Sequence, residues 1–191
     1  METPRFPVRA EFERWRQTHQ LIDALFELGA PSLSHSAPAV SAWSPLAHLA
    51  HVELANELCL RNLSSFARRE GFLLQTGKTP SEDVLAILAA GTLPRGTATA
   101  PRMVVPPLDV ELDMVRSWHR DNVTTLADLA RNPHLIEASE QTIAHQVLGP
   151  LGAPQWLRFA VVHSRHHLAI AREALVALGT KPGELPPLPA L

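Results

Sequence analysis

The chain has 191 residues, 46% of them hydrophobic and 19% charged, with a formal net charge of -2. This is the composition of one ordinary globular domain with a sizeable core, and it excludes a disordered or membrane-like chain. No basic run or basic-aromatic patch is present, which argues against nucleic acid as a partner, and no apolar run reaches the roughly 18 residues that a membrane helix needs.

The start, Met1-Glu2-Thr3-Pro4-Arg5-Phe6-Pro7, lacks the charged-then-apolar order of a secretory leader. The single cysteine, Cys59, rules out an intrachain disulfide and fits a reducing cytoplasm. It falls inside an apolar helical pattern, where a small buried hydrophobe is expected.

Prolines and glycines divide the chain into four long helical patterns. The first runs from Pro7 to Leu28, stops at Gly29, and carries the stripe Phe12, Trp15, His19, Ile22, Phe26. A Ser/Ala/Pro-rich loop spans 30–42. The second helix opens at Ser44-Pro45, a strong N-cap followed by a residue suited to the first helical position. It runs to about Glu70 and stops at Gly71, with Ala47, His51, Leu54 and Leu58 as its inward stripe and Ala50 and Ala55 alongside. A short helix is expected over 81–90, with Ser81 as its cap and Glu82 and Asp83 in its first turn. Residues 91–107 read as a crossover loop. The third long helix covers 108–130 with the stripe Leu112, Val115, His119, Asn122, Leu126, and stops at Asn132-Pro133. Residues 137–147 read as a short helical or irregular insert, and 149–152 as a turn. Pro154 opens the fourth helix and Gly179 closes it. β signals are weak. Four helices of matching length with one long middle connection indicate an all-α, four-helix bundle over residues 1–180. The Pro-rich tail, 181–191, is expected to pack loosely.

The fourth helix carries the most informative stretch, His163-Ser164-Arg165-His166-His167. Four residues apart, His163 and His167 stack on one helical face. That face is Trp156, Phe159, Ala160, His163, His167, Ile170, Ala174, Leu178, an apolar stripe meant for the interior. Two buried imidazoles need partners. A metal satisfies both at once, and hydrogen bonds to carbonyls are the plainer alternative. The other stripes carry His19, His51, and His119 with Asn122, where a structural bundle would place Leu, Ile or Ala. Together they imply a polar pocket within the bundle. Three imidazoles with an open position would hold zinc or a similar divalent ion in catalytic style. No Glu-x-x-His occurs, so a di-iron carboxylate site is set aside. His-Glu-x-x-His is also absent, because residue 164 is Ser, and with it the usual base for peptide hydrolysis.

The segment Trp43-Ser44-Pro45-Leu46-Ala47-His48-Leu49-Ala50-His51 resembles the Trp-Ser…His signature of the DinB/YfiT-like proteins. The stretch His145-Gln146-Val147-Leu148-Gly149-Pro150-Leu151, followed by Gln155-Trp156-Leu157, is similar to that family's entry into its last helix. His163 to His167 resembles its closing histidine motif. The resemblance implies a four-helix bundle, often dimeric, with a three-histidine metal site on His51, His163 and His167. His48 and His166 also lie in these motifs, each roughly 100° or more from its neighbour's face, which suits a surface or supporting position. Two positions depart from the family pattern: Ala47 stands where relatives often carry Glu or Gln, and Gln146 where a Pro is common. Some members are metal-dependent transferases using thiols such as bacillithiol or mycothiol.

Three functional readings follow. One is an enzyme in which one divalent ion, zinc or nickel, activates a water or a low-molecular-weight thiol against a small electrophilic substrate, with His19, His119 or Asn122 positioning substrate. Another is a non-catalytic metal-binding stress-response or interaction module. The last is a metal-free helical interaction protein.

Overall fold

The computed structural model describes residues 4–96 and 99–191. Met1 to Thr3, part of the start read as leaderless, and residues 97 and 98 of the crossover lie outside the described residues. Among the described residues the chain is mostly helical, 60% helix with one small two-stranded sheet. Among the described residues, no helix is long and apolar enough to cross a membrane.

Four helices are long: α1 (Val8–Phe26), α3 (Pro45–Arg68), α5 (Leu112–Ala130) and α7 (Ala153–Ala177). Ser44 caps α3 as the sequence indicates, its hydroxyl accepting the Ala47 N–H at 3.1 Å. Ser81 does the same for α4 (Glu82–Ala90), accepting from Val84 N–H at 3.4 Å. The third long helix starts at Leu112 rather than Leu108, residues 108 and 109 forming a turn in which Leu108 is fully exposed.

Both α1 and α3 pack against α5 and α7. The apolar core comes in two parts. One joins Phe12 and Trp15 of α1, Leu60 to Phe66 of α3, Leu126 of α5 and Trp156 to Val161 of α7. The other joins Leu21 to Phe26, Leu46 to Val52, Val115, and Leu168 to Leu175. The order of these parts along each helix fixes its direction. α3 and α5 run the same way, α1 and α7 the opposite way, so the link between α3 and α5 must travel the length of the molecule. That is the expected long crossover, carrying α4 and a 3-10 turn, Arg102–Val104.

Four local expectations are corrected. Gly29, at φ +75, opens a five-residue helix, α2 (Gly29–Leu33), in the expected loop, and buries Leu33. The insert after α5 is the short helix α6 (Pro133–Glu137) followed by a hairpin, β1 (Thr142–His145) and β2 (Gly149–Gly152), antiparallel with Thr142 opposite Gly152. The helical stripe assigned to α3 was too narrow. Leu46, Leu49, Val52, Asn56, Leu60 and Leu63 are buried, whereas Ala47, Leu54 and Leu58 are only half-buried, because α3 is covered by α5 on one side and α7 on the other. The tail is not loose: Leu185 is buried, and Arg165 and Arg172 of α7 donate to the carbonyls of Pro189 and Pro186.

The hairpin delivers the chain into α7. His145 closes its turn by accepting the N–H groups of Val147 at 3.2 Å and Leu148 at 3.1 Å on Nδ1. Burial pushes its pKa down to about 4. Folding therefore excludes a proton that the unfolded chain accepts near pH 6.5. The stability contributed by His145 is intact above that pH and lost as the pH falls toward 4. At pH 5 the difference corresponds to about 2 kcal/mol, which partial solvent access to the ring reduces to about 1 kcal/mol. In chelator, the denaturation midpoint should drop less between pH 7.5 and 5 for His145→Asn, whose amide oxygen can still accept the turn N–H groups. Equal drops would show that the ring does not couple to the fold in this way.

Candidate metal centre

Between the two apolar parts, every long helix turns polar at the same level. The buried groups are Thr18 and His19 on α1, His51, Glu53 and Asn56 on α3, His119 and Asn122 on α5, and Ser164 on α7, with His163 and His167 half-buried beside them. Ser164 donates to Asn56 Oδ1 at 3.0 Å, tying α7 to α3 within this belt.

On the α3–α7 side, the belt brings together His51, His163 and His167, whose ligand atoms lie within 4.8 Å of one another. His51 Nε2 and His163 Nε2 are 3.2 Å apart, and the His167 ring centroid stands 4.3 Å from that of His51 and 4.6 Å from that of His163. Two nitrogens bound at about 2.0–2.1 Å to one tetrahedral ion are separated by about 3.3–3.4 Å, so the His51–His163 spacing suits a shared ion.

The surroundings fix the rings. His51 donates Nδ1–H to the Val104 carbonyl at 2.7 Å, which leaves the Nε2 lone pair facing His163. That carbonyl is supplied by the 3-10 turn of the crossover. His48, buried one turn before His51, shares a hydrogen bond with His167 between their Nδ1 atoms, 3.2 Å apart, and its Nε2 lies 2.9 Å from Ser41 Oγ. Trp43 walls the group, with its ring centroid 5.1 Å from that of His51 and 6.4 Å from that of His167. Phe159 lies against His163 at 5.3 Å.

Burial first, and the neighbouring imidazoles next, hold the pKa of His163 and His167 far below the ordinary histidine value. His51 is lowered by burial as well, partly opposed by its bond to Val104. All three therefore stay neutral at pH 7 with lone pairs available, the state a metal ligand requires. His166 is half-buried at the edge, its ring centroid 5.0 Å from that of His167. Near it, Arg95 of the crossover makes a bidentate pair with Glu173 at 2.6 and 2.7 Å.

His19, His119 and Asn122 do not join this triad. They meet on the other side of the belt, around Glu53. His119 Nδ1 is 2.8 Å from Glu53 Oε1 and 3.3 Å from His19 Nδ1, and Asn122 Nδ2 donates to Glu53 Oε2 at 2.7 Å and to the Glu53 carbonyl at 2.9 Å. Sequence reasoning missed Glu53, because the single stripe assigned to α3 placed it outside. Its available signal was a lone carboxylate in the apolar run from Leu46 to Val52 and beyond. Ser41, the Val104 carbonyl and Asn56 were missed too, since nothing in their local spacing marks them.

No family model, no curated protein and no solved structure matches the chain. It is a mostly helical protein whose buried histidine groups could hold a metal ion.

Proposed function

We propose that the chain is a metal-dependent enzyme of the DinB/YfiT-like kind, built on a four-helix bundle. His51, His163 and His167 hold one divalent ion, zinc or nickel, and a water or low-molecular-weight thiol attacks a small electrophile, giving a hydrolase or an S-transferase. The observation that carries this reading is the convergence of three neutral, lone-pair-bearing imidazoles, two of them oriented from outside, His51 by Val104 and His167 by His48 and Ser41. Held by three neutral donors, such an ion supplies Lewis acidity that lowers the pKa of a thiol or water beside it. The chain's own part is to keep the imidazoles deprotonated by burial, to fix the His51 tautomer through Val104, and to wall the site with Trp43 and Phe159. The half-buried edges of His163 and His167 leave an approach for substrate. The lone buried thiol fits a reducing, cytoplasmic setting, and a homodimer accords with the family resemblance.

The alternative reading is a non-catalytic metal-binding stress-response or interaction module, which the same three donors would serve equally well. The cleft of about 470 Å³ between α3 and α5 is lined by residues such as Glu57, Arg61, Trp118 and Asp121, and by none of the triad. The discriminating experiment supplies zinc- or nickel-loaded protein with glutathione, N-acetylcysteine or cysteine and a panel of electrophiles. Thiol consumption that stops on chelation and in a His163→Ala/His167→Ala variant is the expected result. No thiol consumption counts against the transferase form, and no hydrolysis of the same electrophiles either, with metal bound, would leave the module reading.

A further inference from the structure

We infer that His19, Glu53 and His119 form a second divalent-metal site, a clasp joining α1, α3 and α5. It shares no residue with the triad and does not depend on the enzymatic reading.

The donor spacing is the first argument. His119 Nδ1 to Glu53 Oε1 is 2.8 Å, His119 Nδ1 to His19 Nδ1 is 3.3 Å, and His19 Nδ1 to Glu53 Oε1 is 3.9 Å. These values bracket the roughly 3.3–3.4 Å edge of a tetrahedron with bonds of about 2.0–2.1 Å. Two imidazoles and one carboxylate are a donor set that zinc takes readily.

Proton placement is the second. The three residues are at most 3% exposed, so water does not settle the matter. An ionised Glu53 can only accept. If neutral His119 gives its proton to Glu53 from Nδ1, its Nε2 lone pair faces Asp23 Oδ1 at 3.2 Å, a lone pair against a carboxylate. If the proton sits on Nε2, the Nδ1 lone pair faces both Glu53 and His19 Nδ1. The Nε2 atoms of His19 and His119 are in fact buried with no hydrogen-bond partner. A cation among the three donors takes the inward Nδ1 lone pairs and leaves His119 Nε2–H 3.2 Å from Asp23 Oδ1, near that carboxylate but not hydrogen-bonded to it. Asn122 holds the other oxygen of Glu53 in place. Charge also closes, since a divalent ion would be balanced by Glu53 and Asp23. The Asp23 side chain is 65% exposed, which places the edge of the site one carboxylate from solvent.

The rival arrangement is a doubly protonated His119 bridging Glu53 and Asp23 with no ion. The test starts from a His163→Ala/His167→Ala variant, treated with chelator and then dialysed against zinc or cobalt(II). One equivalent should remain by elemental analysis, with a raised Tm and, for cobalt, the visible absorption of a tetrahedral site. Adding His19→Leu, which keeps the His119–Glu53 bond and fills the apolar space, should remove both the ion and the Tm rise. Asp23→Asn, an exposed change, should weaken binding by roughly 5-fold without altering the fold, through loss of a nearby negative charge. A folded double variant that takes up neither ion, with an unchanged Tm, overturns the inference and leaves the imidazolium bridge. If the unsubstituted chain holds one equivalent and the double variant none, the triad stands and this site falls. If both hold one, this site stands and the triad falls.

Discussion

Replacing His163 and His167 by alanine should lower metal affinity at the α3–α7 site by at least about 10²-fold, more than loss of a supporting contact alone would cost. The two residues supply two of the three converging donors, and His51 alone cannot hold an ion against water. Competition against a chromophoric chelator reads the affinity directly. Substitution of a surrounding group should act more gently. Ser41→Ala removes one partner of the His48 ring, which orients His167, and should cost about 10-fold. If the double alanine variant binds zinc and nickel as tightly as the unsubstituted chain at every site, the triad is not a metal centre. Its histidines would then be a hydrogen-bonded core feature.

The second large effect concerns a charge far from the histidines. Arg158, near the start of α7, is 6% exposed, and Glu11 on α1 is 1% exposed. Arg158 donates Nε–H to the Leu88 carbonyl at 2.9 Å, and its Nη1 lies 3.4 and 3.5 Å from the two Glu11 oxygens. Those are long contacts, so the mutual attraction is modest. The cost of leaving one partner alone is not, because the guanidinium would stay buried without a counter-charge. Glu11→Ala should therefore destabilise the chain by about 3–5 kcal/mol. A Glu11→Leu/Arg158→Met double substitution, which removes both charges and keeps volume, should recover most of that loss. Denaturant midpoints of the two variants decide it. A cost below about 1 kcal/mol for Glu11→Ala would mean that water, with the Leu88 carbonyl already held by Nε, satisfies the Arg158 guanidinium without a counter-charge.

What could be read from sequence follows from where the signal is local. Helix starts such as Ser44-Pro45 of α3 and Ser81 of α4 are marked by caps that act within a few residues. The pairing of His163 with His167 needs only helical geometry. Glu53 was lost because its role depends on α3 being covered on two sides, a fact about neighbours over sixty residues away such as His119 and Asn122. The strands failed to register because each has four residues and the second is Gly-Pro-Leu-Gly, which looks like a turn until it is paired. The tail was misjudged because Pro-rich composition says nothing about Arg165 and Arg172, whose guanidinium groups hold its carbonyls to α7. The histidine cluster divided in two for the same reason: each stripe could be drawn, but which stripes face one another is settled only by the crossover.

That crossover also sets a schedule for the nascent chain. Since α1 packs against α5 and α7 and not chiefly against α3, the first helix to leave the ribosome has none of its long partners until residues beyond 112 emerge, and lacks the last of them until about residue 177. For most of synthesis, the apolar faces carrying Phe12, Trp15, Ile22 and Phe26 on α1 and Leu49, Val52, Leu60 and Leu63 on α3 wait uncovered. Protection during translation is therefore expected to raise its yield, and truncation within α7 to expose these faces rather than leave a shortened fold.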